Sequence, residues 1–524
     1  MKSTPNLLME LNSPQIWDWQ WIINCVDYAK KFGYTGLILH QQELLSILSS
    51  PLTNPSHLTT QNENLIHQRN FAFQYLKKVS NLFYKNNLTF WLEGEACPND
   101  DLISRKFPEY NLEQRNKGEF WTHFYQSIIE SLLKTSPYFN GLILSITIPD
   151  FEPEGIINAF KYLSNIMHKN TKTLILRDYI DLDWPRRQLI SVLSKLPSNI
   201  RASIKATELD FHPSFSNHPH IAQLPNNKKW IEYDLWGSGY GWSYVPCYLI
   251  DEIKNRLQWA MGQDGEGVEA IVTRICWQWL PGRTTFDSVN LFNVLGMSHI
   301  TLAEENSVLE DKWLDYTGLS FHTLSDRNIY FSSIYNSYQW LIATPNILGR
   351  RLHYQSQIPE NLEHALQLLH LDTRSANWTQ SYQPLLPTDD ITIGTEQRNL
   401  IQLEKEKAMF ISSGELLKLK AMLTSVKDPS GIIQKNIDSW RISEIYLEMF
   451  QLVALSTCDA MWNEHYPNNP LPKNTITNHQ HSFYELSNKI EHFLNEWEHP
   501  VYTSLPLLLN TDRLIQFSTS LPLT

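Results

Sequence analysis

A (β/α)8 barrel over residues 1–302, followed by an all-helical region over residues 303–524, is the architecture this sequence predicts. Three observations carry that reading. Eight short apolar runs alternate with amphipathic or loop segments before Leu302, the rhythm of repeated strand–crossover units. The runs are continuously apolar, so both faces of their sheet are expected to be covered. Beyond Leu302 only helical periodicity remains. A doubly wound open sheet is the competing architecture, but no GxGxxG or GxxxxGK[ST] loop follows the first strand.

Each element has its own justification. Asn6–Leu11 (NLLMEL) reads as the first strand, and Trp17–Gly33 as a helix stopped by its C-terminal glycine. Thr35–His40 (TGLILH) is the second strand and Leu88–Ala96 (LTFWLEGEA) the third, with the helical pattern FAFQYLKKVSNLFYKNN between them. Gly141–Thr147, Thr173–Asp181, Ile200–Asp210, Lys229–Gly237 and Val268–Trp279 complete the eight, most of them separated by helical patterns. After Leu302, stretches such as EQRNLIQLEKEKAMFISSGELLKLKAMLTS and IDSWRISEIYLEMFQLVALSTCDAMWNEHY are helical. Loops rich in Pro, Asn and Asp separate them, and no repeat of fixed period is present.

Barrel enzymes place their chemistry at the carboxyl ends of the strands, and this rule selects candidates before any motif does. Glu93 and Glu95 end strand three; Asp150, Glu152 and Glu154 follow strand four; Arg177, Asp178 and Asp181 end strand five. Lys205, Glu208, Asp210 and His212 end strand six; Glu232, Asp234, Tyr240 and Trp242 belong to strand seven and its loop; Arg274 and Trp277 end strand eight. Charges are rarely buried unpaired, so such a ring is either a binding site or a set of salt bridges inside the barrel. On strand six, Lys205, Thr207 and Leu209 share one face, and Ala206, Glu208 and Asp210 the other. The prolines of FHPSF and HPH stiffen the loop that follows. His212, His218 and His220 in that loop are read as hydrogen bonders or substrate contacts, and no metal or other cofactor is expected.

Composition narrows the partners. A formal net charge of −12 argues against nucleic acid, whose phosphates need a basic surface. Aromatic residues make up 12% of the chain, enough for sugar-stacking platforms as well as core packing. The five cysteines are scattered without CxxC or zinc spacing, which fits reduced thiols. The opening segment MKSTPNLLMELNSPQIWDWQW lacks an apolar stretch of signal-peptide length, and no segment reaches the ~20 apolar residues of a membrane span. A soluble cytoplasmic protein with a small carbohydrate partner is expected, with a homodimer through the helical region as a further possibility.

At KATELDFHP the sequence resembles the α-glucuronidases of glycoside hydrolase family 67, which carry a lysine and, five residues on, an aspartate followed by Phe-x-Pro. Lys205, Asp210, Phe211 and Pro213 match that pattern, and Arg177 in LILRDY matches a strand-five arginine of the family. The resemblance implies that Lys205 and Arg177 grip a sugar carboxylate and that Asp210 is a general base. Other positions depart from it. Ser238 stands where the family has a glutamate, and in LSITIPDFEPEG the acid position falls at Ile148 or Pro149, with Asp150 and Glu152 slightly displaced. Inverting hydrolysis needs one carboxyl to protonate the leaving oxygen and a second to activate water. Asp210 is therefore assigned as base, and Asp150 or Glu152 as acid. Glu208, His212, Asp234, Ser238, Tyr240, Trp242, Arg274 and Trp277 are the further substrate contacts. The reading that follows is a glycosidase for uronic-acid-containing or related oligosaccharides. The alternatives are a carbohydrate-binding barrel without chemistry and a barrel hydrolase of another kind.

Overall fold

The computed structural model describes residues 4–50, 60–110, 118–146, 153–178, 183–208, 211, 213, 215–224, 228–263, 267–302, 304–371, 393–472, 474–497 and 502–522. Eight strands close into a barrel in sequence order: β1 (Asn6–Asn12), β2 (Gly36–His40), β3 (Thr89–Glu95), β4 (Phe139–Ile146), β5 (Thr173–Asp178), β6 (Arg201–Lys205), β7 (Lys229–Asp234) and β8 (Val268–Arg274). The recorded pairings are parallel, and β1 closes the ring by pairing with both β2 and β8. The expected barrel is thus present. Strand six is shorter than the expected Ile200–Asp210, because the ladder ends where the chain turns after Lys205.

Helices between the strands cover the outer face. Trp19–Lys31 is started by Asp18, whose carboxylate accepts the amides of Gln20 and Trp21, and Asp100 caps Asp101–Lys106 in the same way. Inside the barrel, Leu8, Ile38, Trp91, Ile143, Ile175, Trp230, Ala270 and Val272 form one apolar cluster, in which the Trp91 and Trp230 rings meet edge to face at 4.8 Å. Gly141 makes room for Trp91: a Cβ there would lie 2.5 Å from the indole ring and 2.2 Å from the Thr173 carbonyl. Packing the partly buried Trp91 against the buried Trp230 therefore requires a residue without a side chain on the neighbouring strand.

By compactness the chain forms two units. The first comprises residues 1–209, 218–233 and 256–281. The second comprises residues 210–217, 234–255 and 282–524. In the second unit the helices Thr395–Met422 and Ile432–His465 pack against each other. Trp340 and Trp440, both fully buried, meet edge to face at 6.0 Å in its core. The expected all-helical character holds apart from two very short antiparallel pairs, Asn346–Ile347 with Arg350–Arg351 and Ser320–Phe321 with Val426–Lys427. All five cysteines are buried and unpaired. No described helix is long and apolar enough to cross a membrane.

Candidate functional site

Two residues beyond the apolar cluster along the seven strands that form it, the same inward face becomes polar. Leu8 gives way to Glu10, Ile38 to His40, Trp91 to Glu93, Ile143 to Ser145, Ile175 to Arg177, Trp230 to Glu232 and Val272 to Arg274. The period of two that lines the apolar layer from these strands necessarily lines the next layer as well. All seven of these residues are buried. Arg177 holds the layer together. Its Nε donates to both Glu232 oxygens at 2.8 and 2.9 Å, Nη2 donates to Glu232 at 2.7 Å, and Nη1 donates to Glu93 at 2.6 Å. Glu10 lies 4.0 Å from the same guanidinium and 2.6 Å from Nδ1 of His40, which is itself 3.4 Å from Glu93. Ser203 and Ser145 donate to Glu232 and Glu93 at 2.6 and 3.3 Å.

Three carboxyls around one guanidinium cannot all ionise at equal cost, and the layer divides them. Burial, with the charges of Glu10 and Glu232 beside it, pushes Glu93 up to about 7 even though Arg177 and His40 favour its anion. Burial also opposes ionisation of Glu10, but Arg177, the His40 hydrogen bond and Arg274 outweigh it and hold Glu10 at about 2. A linkage prediction follows. A carboxyl raised from 4.5 to about 7 keeps its proton in the folded state while the unfolded chain releases it. Glu93 therefore contributes its full stability below pH 4.5 and loses it as pH rises toward 7, by about 3 kcal/mol. Urea unfolding from pH 4.5 to 7 checks this: the decline should be present in the native chain and absent in Glu93→Gln. Glu10 acts in the opposite sense, its contribution being lost as pH falls from 4.5 toward 2.

A third, outermost layer contains Asn12, Glu95 and Lys205, two residues further along β1, β3 and β6. Glu95 is half-buried, accepts a hydrogen bond from Gln42 at 2.5 Å, and is raised by burial and by Asp100. Asn12 is buried, and its Oδ1 has no hydrogen-bond partner among the described residues. Lys205 is buried and lies in register with Glu232.

The remaining sequence candidates separate into groups. Asp150, Glu152, Asp210 and His212 lie outside the described residues. Glu208 is buried just beyond β6, and Trp277 is half-buried beyond β8. Arg274 lies in register with Glu10 and acts on it electrostatically. In the second unit, the Asp234 carboxylate accepts the amides of Trp236 and Ser238 at 3.0 and 2.6 Å, and the Tyr240 hydroxyl donates to the Asp234 carbonyl. Trp242 stacks on Trp236 at 6.3 Å and takes a positive φ of 50°, a strained conformation for a bulky residue. These residues make a pinned loop after β7.

Sequence reasoning assigned no role to Glu10 or His40, and it named Glu93 and Glu232 only as strand ends. A signal for the first two was present: each is a lone ionisable residue in an apolar strand, in phase with the inward face.

His218 and His220 surround Asp178. Its Oδ2 lies 3.1 Å from His220 Nδ1 and 3.6 Å from His218 Nε2, and all three residues are buried. The His220 amide donates to His218 Nδ1 at 3.2 Å, which keeps the His218 ring proton on Nε2, facing the carboxylate. His220 is within hydrogen-bonding distance of the Asp178 carboxylate, and His218 stands just beyond it. Glu10, His40 and Glu93 also converge closely enough for a cation, but Arg177 supplies the positive charge there.

No family model and no curated protein matches the sequence. Solved structures do. An enzyme of glycoside hydrolase family 138, described as targeting pectin rhamnogalacturonan II, superposes with a TM-score of 0.67 at 10% identity, over 99% of this chain and 83% of that one. The spore coat polysaccharide biosynthesis protein spsE of Bacillus subtilis gives 0.35 at 11% identity, over 59% of this chain and 71% of that one. An endo-β-N-acetylglucosaminidase of Cordyceps militaris gives 0.34 at 8% identity, over 57% and 91%. The chain thus shares the fold of the family 138 enzyme, an eight-stranded barrel and a helical region. The likeness found is to a family 138 enzyme, whereas the strand-six motif had suggested family 67.

Proposed function

We propose that this chain hydrolyses a glycosidic bond in an oligosaccharide carrying a uronic or related acidic sugar, with Glu95 as the proton donor. The observation that carries the reading is the outermost inward layer. There a half-buried carboxyl raised above its ordinary value shares the carboxyl end of the barrel with a buried lysine and an amide oxygen that has no partner among the described residues. A raised, accessible carboxyl is what protonation of a leaving oxygen requires. Asn12 Oδ1 suits a sugar hydroxyl, since buried acceptors are ordinarily satisfied. Lys205 supplies the charge for a sugar carboxylate. Arg177, assigned to the same grip by the family 67 resemblance, is instead read as framework, because a ligand would have to displace Glu232 or Glu93 from its nitrogens. Asp210 keeps the role of base in this proposal. Asp150 and Glu152 remain the alternative acids, and Glu208, His212, Ser238, Tyr240, Trp242, Arg274 and Trp277 the further contacts. The fold shared with a family 138 hydrolase supports the class of reaction.

The second reading is a carbohydrate-binding barrel without chemistry, and one observation favours it. The Asp234 carboxylate holds backbone amides of its own loop, and Ser238 stands where the resemblance expects a glutamate. Incubating the purified protein with aryl-glycosides and aldouronic oligosaccharides separates the two. Released product supports hydrolysis. Calorimetric binding of an acidic oligosaccharide with no product selects the binding reading, and neither binding nor product overturns both.

A further inference from the structure

Two glutamines, carried just beyond the strands that flank β1, are joined to Glu95 in one chain of hydrogen bonds. Gln42 is the second residue of a turn after β2, closed by the Leu44 amide on the Gln41 carbonyl. Gln278 holds the same position in a turn after β8, closed by the Leu280 amide on the Trp277 carbonyl. Both side chains are half-buried. Gln278 Oε1 accepts the backbone amide of Gln42 at 3.0 Å, and its Nε2 donates to Gln42 Oε1 at 3.2 Å. Gln42 Nε2 in turn donates to Glu95 Oε1 at 2.5 Å.

The sense of this chain follows from its first member. A backbone N–H only donates, so the Gln278 atom facing it is the oxygen, and the other end of that amide is the NH2. Gln42 meets that NH2 with its own oxygen and therefore turns its NH2 toward Glu95. Turning either amide over would set donor against donor and forfeit two hydrogen bonds. Glu95 thus receives a donor at Oε1, which leaves Oε2 as the seat of a proton on this carboxyl.

We propose that Gln42 and Gln278 are positioning residues for the acid, a clasp that seats its proton on Oε2 and holds the anion left when that proton is given away. The inference rests on Glu95 as the proton donor. An N–H aimed at a carboxyl bonds the anion more strongly than the neutral acid, so its effect grows as the proton leaves. The clasp works against the other influences on Glu95. Burial raises the carboxyl and the Gln42 hydrogen bond lowers it; of the charges near it, Asp100 raises it and His40 lowers it. The neighbouring Cys97 thiol is buried and pushed well up, so it carries no charge at neutral pH.

The titration of Glu95 tests the clasp without any need for turnover. It is read by carbon-13 NMR of the side-chain carboxyls in the full chain, the Glu95 signal being assigned by its absence in Glu95→Gln. Gln42→Met keeps the length of the side chain and removes the donor, so the midpoint should move to higher pH. Gln278→Glu acts on Glu95 through Gln42. A carboxylate at position 278 only accepts, so Gln42 turns its NH2 to it and its oxygen to Glu95. Glu95 is then bonded only when protonated, and its midpoint should rise. The added charge also acts through space, and Gln278→Glu in the Gln42→Met background isolates that part; the rise should be smaller there. Where the native chain hydrolyses an oligosaccharide, Gln42→Met should lower kcat about tenfold with KM little changed, the effect of one hydrogen bond to a charged group. An unmoved midpoint in Gln42→Met, or an equal rise from Gln278→Glu in both backgrounds, would overturn the clasp. Native turnover in Glu95→Gln beside the expected titrations would instead remove Glu95 as donor and leave the clasp standing.

Discussion

Replacing Arg177 with leucine is expected to lower the unfolding free energy by about 3–5 kcal/mol, the cost of breaking a buried ion pair by removing one partner. Leucine occupies the centre of the barrel without serving the carboxyls of Glu93 and Glu232, which the guanidinium now reaches at 2.6–2.9 Å. Glu10 loses its nearest guanidinium in the same step. Urea unfolding at pH 7 measures the effect. Lysine at this position retains charge but not the planar fork, so Arg177→Lys should fall between the native chain and the leucine variant. The decisive control is the triple variant Arg177→Leu, Glu93→Gln, Glu232→Gln, which removes the stranded charges and should recover much of the loss. A loss below about 1 kcal/mol for Arg177→Leu, the scale of an exposed pair, would mean that the layer is hydrated and not a sealed ionic core.

Glu95→Gln should reduce turnover by a factor of about 10² to 10⁴, the usual contribution of a positioned acid, while leaving affinity for an acidic oligosaccharide close to native. The amide keeps the hydrogen-bonding shape of the carboxyl but has no proton to give to a leaving oxygen. Activated aryl-glycosides provide a specific check. Their leaving groups need little protonation, so the variant should lose far less activity on them than on a natural oligosaccharide. An equal loss on both substrates, or unchanged turnover on the oligosaccharide, would remove Glu95 from the role of donor and return it to Asp150 or Glu152. Stability measured in parallel separates chemistry from folding. Glu95 is half-buried and bonded to one glutamine, so its neutralisation should move the melting temperature little.

Much of the fold was legible because barrel strands carry a strong local signal. Runs such as Leu174–Leu176 and Leu142–Leu144 are covered on both faces, so their residues are apolar without interruption, and the crossover helices show their own period. Strand lengths were less legible. IRASIKATELD reads as one long strand, yet its ladder ends at Lys205. The charged interior was only half legible. Glu93, Arg177 and Glu232 could be named as strand ends, but nothing local distinguishes a side chain that meets a ligand from one that meets another side chain.

By itself, the sequence determined eight barrel strands and, on strand six, which residues share a face, because periodicity is a property of neighbouring positions along the chain. Only the tertiary structure decided what those residues meet. Closure of the barrel brings Glu10, His40, Glu93, Arg177 and Glu232 from five strands into one buried layer, and it makes the guanidinium assigned to a substrate carboxylate the partner of protein carboxyls. The same closure raises Glu93 and lowers Glu10, two glutamates that are indistinguishable as letters. Desolvation and Coulomb forces act through distances in space, and those distances exist only once the eight strands have met.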